Sequence, residues 1–199
     1  MELKIKDGKG RGYEAGVNST GKLLIEGDTL TQFQFEILNS NGYNLSTGVP
    51  ETLTNASESV VFYLKNNEDL PLVIKEVLVI LGDSTGGAGG GLARVYKNPT
   101  AGSIIDNAVV ATQGNRDWSS AKTLTVDLYK GVQGDTITAS DGVFGTTSRS
   151  NFSDPIRFDA EIIVLRKGNS IAVSWQPPTS NTSQTCVIAA TVILETTEI

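Results

Sequence analysis

The sequence predicts an all-β chain folded as a two-sheet antiparallel β-sandwich, on three observations. Short apolar runs alternate with polar residues at period two along most of its 199 residues. Clusters of Gly, Asn, Asp, Ser and Pro separate those runs as turns. No stretch carries a convincing helical apolar stripe over three turns. The length suits one large sandwich, or a sandwich plus a tail, because all-β domains often reach about 200 residues as a single unit. Eight or so strands with turn-rich connections fit a two-sheet sandwich or a jelly roll.

Residues 1–30 differ from the rest and read as an N-terminal arm ahead of a body over 31–199. Asp7-Gly8-Lys9-Gly10-Arg11-Gly12 is a charged, glycine-rich stretch that holds no packed core by itself. Within the arm Tyr13, Val17, Leu23, Leu24 and Ile25 are apolar enough to want a partner surface, as short strands laid on a neighbouring chain. An ordinary first hairpin turning at Asn18-Ser19-Thr20-Gly21 is the equal alternative.

In Gln32-Phe33-Gln34-Phe35-Glu36-Ile37 the apolar residues alternate with polar ones, which predicts a half-buried strand ending in a turn at Asn39-Ser40-Asn41-Gly42. Ser59 to Lys65 is a second strand, and a polar connection leads to Leu72 to Leu81. The later half of that run is apolar on both faces, as for a central strand covered on both sides or one buried at a subunit contact. Gly82 to Gly91 forms a loop. A glycine cluster cradles phosphate when Lys and Ser/Thr lead into a helix, but Leu92 to Tyr96 reads as a strand.

Thr123 to Tyr129, Arg157 to Leu165, Ser170 to Trp175 and Val187 to Glu195 complete the strands, with Trp175 on an inward set and Lys167-Gly168-Asn169 as a tight hairpin turn. At most one short helix is expected, with Ser103 to Asn107 as its candidate.

The chemical inventory is narrow. The chain has no histidine, so the usual general base near neutrality and the commonest transition-metal ligand are missing. Its single cysteine, Cys186, pairs with nothing in its own chain and suits a buried strand position. The 16 Lys and Arg are scattered among 22 Asp and Glu, a formal net charge of −6, which argues against a phosphate-tracking surface and hence against nucleic acid as a partner. The first residues lack the apolar core of a signal peptide, and no run approaches the roughly 20 residues that span a bilayer. The sequons Asn151-Phe152-Ser153 and Asn181-Thr182-Ser183 then read as chance products of composition rather than glycan sites.

Carboxylates are the acid-base groups in good supply. A glycosidase needs two of them facing one bond, yet Asp127, Asp159 and Glu161 alternate with inward strand residues and are expected to face solvent. Glu68, Asp69 and Asp83 lie in loops without the spacing of a calcium-binding loop, so neither a metal nor a cofactor is expected. Trp118 falls between strands, where an aromatic residue stacks on a sugar or anchors a protein; the plainer expectation is that it caps one end of the sandwich.

The segment Gly12-Tyr13-Glu14-Ala15-Gly16-Val17-Asn18-Ser19-Thr20-Gly21-Lys22-Leu23 is followed by Tyr63-Leu64-Lys65-Asn66-Asn67 and Tyr96-Lys97-Asn98-Pro99-Thr100-Ala101-Gly102. Tyr129-Lys130-Gly131 and the run from Lys167-Gly168-Asn169 to Trp175-Gln176-Pro177-Pro178 come next. In this order and spacing the chain resembles a group of tailed-phage virion proteins, the capsid decoration, auxiliary capsid and head-fibre type. The resemblance implies a jelly-roll body, a short N-terminal attachment segment and no enzymatic activity. It also implies a homo-oligomer, a trimer, on the major capsid protein of a virion assembled in the host cytoplasm, with no membrane partner. On that reading Tyr13, Val17, Leu23, Leu24 and Ile25 meet the capsid, while Trp118 and Tyr96 are positions for a glycan or protein contact. A tail-associated receptor binder working through loops around Trp118 or Gly86 to Gly91 is the rival expectation.

Overall fold

The computed structural model describes residues 15–17, 23–25, 31–86, 90–149, 154–158 and 163–195. It divides into two compact units, Met1–Phe35 and Glu36–Ile199. In the first, β1 (Ala15–Val17) and β2 (Leu23–Ile25) form an antiparallel pair, with Gly16 opposite Leu24. Tyr13 lies outside the described residues.

The expected strand over 32–37 is a helix instead, α1 (Gln32–Leu38). The reason is a capping box. Gln34 N donates to Thr31 Oγ1 (3.2 Å) and Thr31 N donates to Gln34 Oε1 (2.9 Å), so two orphan amides of the first turn are satisfied reciprocally. A second helix, α2 (Ser103–Asp106), occupies the expected candidate position, so the described residues hold two helices where at most one was expected.

The sandwich unit comprises β3 (Gly42–Ser46), β4 (Glu51–Leu53), β5 (Ser59–Asn66), β6 (Leu72–Leu81) and β7 (Gly91–Lys97), then β8 (Val109–Val110), β9 (Thr112–Asn115) and β10 (Val126–Lys130). It ends with β11 (Val143–Arg149), β12 (Ile156–Phe158), β13 (Ile163–Leu165), β14 (Ser170–Gln176) and β15 (Gln184–Leu194). One sheet runs β11-β7-β14-β5-β10-β8 and the other β12-β6-β15-β3-β9, with β13 also on β6 and β4 on β15. All of these pairings are antiparallel. The fold is therefore an antiparallel β-sandwich.

Alternation fills the space between the sheets. Phe62, Leu64, Val95, Val173 and Trp175 from one sheet meet Leu45, Ile74, Val79, Ile188 and Val192 from the other in a single buried core. Polar side chains tie the layers. Trp175 Nε1 donates to Gln184 Oε1 (2.8 Å), and Asn66 Nδ2 donates to Leu165 O (2.8 Å). Gly91 sits where a Cβ would overlap the Trp175 ring, so the indole requires glycine there.

Three further expectations change. The run from Arg157 to Leu165 is two short strands on β6, with registers Ile156–Val79 and Ile163–Ile74. Residues 159–162 between them, including Asp159 and Glu161, lie outside the described residues. The turn at Lys167-Gly168-Asn169 is tight, with Gly168 at φ +85°, but it is no hairpin, because β13 pairs in one sheet and β14 in the other. Asn66 draws it across, since Gly168 N donates to Asn66 O (2.7 Å) while the Asn66 carboxamide donates to Leu165 O. Finally, β6 is an inner strand whose core face is buried, but its outer face leaves Ile80 44% exposed, so among the described residues it is not covered on both sides, the first of the two alternatives expected for it.

Residues 98–142 make an excursion. The chain leaves β7, which borders one edge, places β8, β9 and β10 at the opposite edge of both sheets, and returns to pair with β7 as β11. Within the excursion Ile104 of α2 covers Val60, Tyr63 and Ala172 on the outer face of the six-stranded sheet, where Tyr63 and Tyr129 stack at 5.5 Å.

Candidate interaction surfaces

Trp118 does not cap the sandwich. It is 96% exposed, on the loop that joins β9 to β10. Large aromatic residues are mostly buried, so an indole left in water on a well-ordered loop points to a contact surface rather than to the core.

The loop is held from within. Asn115 Nδ2 donates to Ser40 O (2.9 Å) and Lys122 O (3.2 Å), and Asp117 N donates to Asn115 Oδ1 (2.8 Å). The Asp117 carboxylate accepts from Ser40 Oγ (2.7 Å), Ser119 Oγ (2.6 Å) and Ser119 N (3.0 Å). Those hydroxyls from Ser119 and Ser40 hold its carboxyl below the ordinary aspartate range. Arg116 N donates to Gly42 O (2.8 Å), and its guanidinium donates to Asn44 Oδ1 (3.1 Å). Beneath the loop Lys122 Nζ donates to Asn41 Oδ1, and Asn41 Nδ2 donates to the buried Glu36 carboxylate (2.8 Å). The polar groups flanking the indole are thus committed to the loop itself, which leaves an apolar knob on a braced base.

Tyr96 occupies a different place. It lies on the outer face of the six-stranded sheet, half-buried, and its hydroxyl donates to Glu58 Oε1 (2.7 Å). Ser174 Oγ donates to the same oxygen, and Arg94 pairs with Glu58 Oε2 at 2.7 Å. Burial alone would raise the Glu58 carboxyl, but the two hydroxyls and the guanidinium outweigh it and hold the group below its ordinary value. A glycosidase acid must keep its proton near neutrality, and Glu58 is arranged to lose it. Tyr96 is pushed up to about 12 by burial and by the Glu58 carboxylate. The cluster is a satisfied polar clamp across β7 and β14.

Val17, Leu23, Leu24 and Ile25 fall on the β1–β2 pair, in a unit separate from both surfaces. Asp127 is half-exposed beside Lys65, at 3.8 Å, and accepts from Asn67 Nδ2 (2.9 Å). Cys186 is buried in the core, where burial raises its thiol far above the reactive range. Asn181 is buried as well, with Nδ2 donating to Leu53 O (2.9 Å), so its sequon is closed to a glycan. Residues 87–89 of the glycine loop and the sequon at Asn151 lie outside the described residues.

The described residues also form a concave feature. At the β11–β13 edge a cavity of about 250 Å³ is lined by Phe144, Ile163, Val164, Leu165 and Ile171, with Lys97 alongside. Nothing in the sequence marked it, because its walls come from β7, β11, β13 and β14, which the sheet order brings together.

Compared with known proteins, the sequence matches no family model and no curated protein.

Proposed function

We propose that the chain is a non-enzymatic structural protein of a tailed-phage virion, a jelly roll that binds the outer surface of the capsid as a decoration or head-fibre protein and stabilises the shell. The observation that carries this reading beyond the motif resemblance is the strand order. With β12 and β13 counted as one, eight principal strands run β3, β5, β6, β7, β11, β12/β13, β14, β15 along the chain. The sixth, third, eighth and first lie side by side in one sheet, and the fifth, fourth, seventh and second in the other. With the shorter strands set aside, this order fits the nesting of two Greek keys, an arrangement frequent in capsid and lectin domains.

The β1–β2 unit supplies the attachment segment, and the sandwich projects from the shell as part of a homotrimer. Attachment of this kind works through apolar area removed from water, at roughly 25 cal/mol per Å² before association costs, and many copies on one lattice add avidity. Deleting residues 1–30 preserves the Thr31 cap and the whole sandwich core. The truncated protein is expected to fold but to be lost from particles in co-sedimentation with capsids. Incorporation at the level of the full chain overturns the assignment.

The exposed Trp118 favours one rival, a tail-associated receptor binder that reads host glycans. Sugar recognition needs hydrogen-bonding groups beside the stacking platform, and Asn115, Asp117 and Ser40 near Trp118 are already engaged with one another and with the loop. Saccharide-specific signal on a glycan array, lost in Trp118→Ala, would establish the rival.

A further inference from the structure

Trp118 is an exposed knob, the 250 Å³ cavity is a mainly apolar hole, and the two lie on opposite edges of the sandwich. We infer that Trp118 of one copy inserts into the cavity beside Phe144 of a second copy, joining copies head to tail. This deepens the oligomeric part of the reading above and rests on it only for self-association.

Size is the first argument. Small-molecule pockets span about 300–1,000 Å³, so a cavity of 250 Å³ is below that class and suited to one large side chain. Its chemistry agrees, since five of the lining residues named above are apolar and an indole removes much of its own surface from water on entry. Charge is compatible: Lys97 adjoins the hole, and the knob is flanked by Asp117 as well as by Arg116.

Placement is the second argument. The β9 edge carries the knob and the β13 edge the hole, with β6, β15 and β3 between them. Four strand spacings of about 4.8 Å separate those edges by roughly 19 Å. Both features lie at one end of the sandwich. The turn beside the hole donates from Gly168 N to Asn66 O, and the segment after the knob accepts at Thr125 O from Asn67 N (3.2 Å). A knob and hole on opposite edges at the same level set copies side by side. Such a heterologous contact closes into a ring when the rotation between copies allows it. The bracing of the Trp118 loop lowers the ordering cost of insertion, as preorganised hot spots do.

The test uses the full chain. Trp118→Ala removes the knob and Phe144→Glu places a carboxylate at the mouth of the hole, facing Asp117 of the incoming copy. Both positions are exposed, so circular dichroism should match the native protein, and each variant should still melt cooperatively, at a temperature lowered only by the lost association. Native mass spectrometry should find an oligomer for the native chain, a monomer for each variant alone, and a one-to-one dimer when the variants are mixed. The chain has two tryptophans, and Trp175 is buried. Acrylamide quenching of the exposed indole should therefore fall as native protein is concentrated. A monomeric native chain, an oligomeric Trp118→Ala protein, or a mixture that stays monomeric overturns the proposal. Capsid co-sedimentation of Trp118→Ala separates the two readings, because loss of the ring with retained capsid binding leaves the virion assignment standing.

Discussion

At the level of single residues, the outer-face clamp around Glu58 gives the sandwich a pH signature. Its carboxyl has a folded value below the ordinary one, so its contribution is complete above the glutamate range and is lost as pH falls through the lowered value. Glu58→Gln is expected to flatten the melting temperature profile on the acid side of the ordinary glutamate range. Tyr96 has the opposite sign. Its contribution is whole below the unfolded tyrosine value and is lost as pH rises toward about 12, so phenolate absorbance should appear late and Tyr96→Phe should remove that late step. Tyr43 is fully buried, and its hydroxyl has no partner among the described residues. A buried unpaired hydroxyl costs roughly 1–3 kcal/mol, so Tyr43→Phe should hold or raise the melting temperature rather than lower it. Cys186 should resist a disulfide reagent in the folded protein and react at the rate of unfolding.

At the level of elements, α1 shows how a short pattern misleads. Phe33, Phe35 and Ile37 alternate as a strand would, while Phe33 and Ile37 also stand one helical turn apart. Seven residues are too few for periodicity to decide. The legible signal was Thr31-x-x-Gln34, a capping box that the alternation overshadowed. Thr31→Ala should weaken the helix by about 0.5–2 kcal/mol, read as faster amide exchange over 34–38. The strands of the core were legible because β5, β6, β14 and β15 are long and apolar. Short edge strands such as β8 and β9 carry exposed, polar or small residues and left no pattern to read. Gly91 is a tighter constraint than its loop context suggested. Gly91→Ala drives a methyl group into the Trp175 ring and should cost about 1–3 kcal/mol in a denaturant melt.

At the level of the whole molecule, the sheet order decides what the surfaces can do. The excursion of residues 98–142 carries Trp118 to the edge opposite Phe144, and the proposed contact between copies depends on that separation of exposed side chain and cavity. The outer faces also differ. One sheet is covered by α2 over Val60 and Ala172, whereas the other leaves Ile80 in water beside the half-buried Val187. Loss of particle binding on deletion of residues 1–30, with the melting transition of the sandwich retained, is the expected behaviour at this scale. It would separate the role of the β1–β2 unit from that of the body.

Composition and period-two patterning alone determined the β-sandwich, the inward Trp175 and the thin inventory of acid-base groups, because burial of alternate residues is a local property of each strand. Tertiary structure decided which turn crosses between sheets, that Trp118 stands in solvent, and that a cavity faces away from it. These depend on pairings between residues far apart in the chain, and the closing hydrogen bonds from Asn66, Asn115 and Asp117 carry no periodicity that a linear reading could detect.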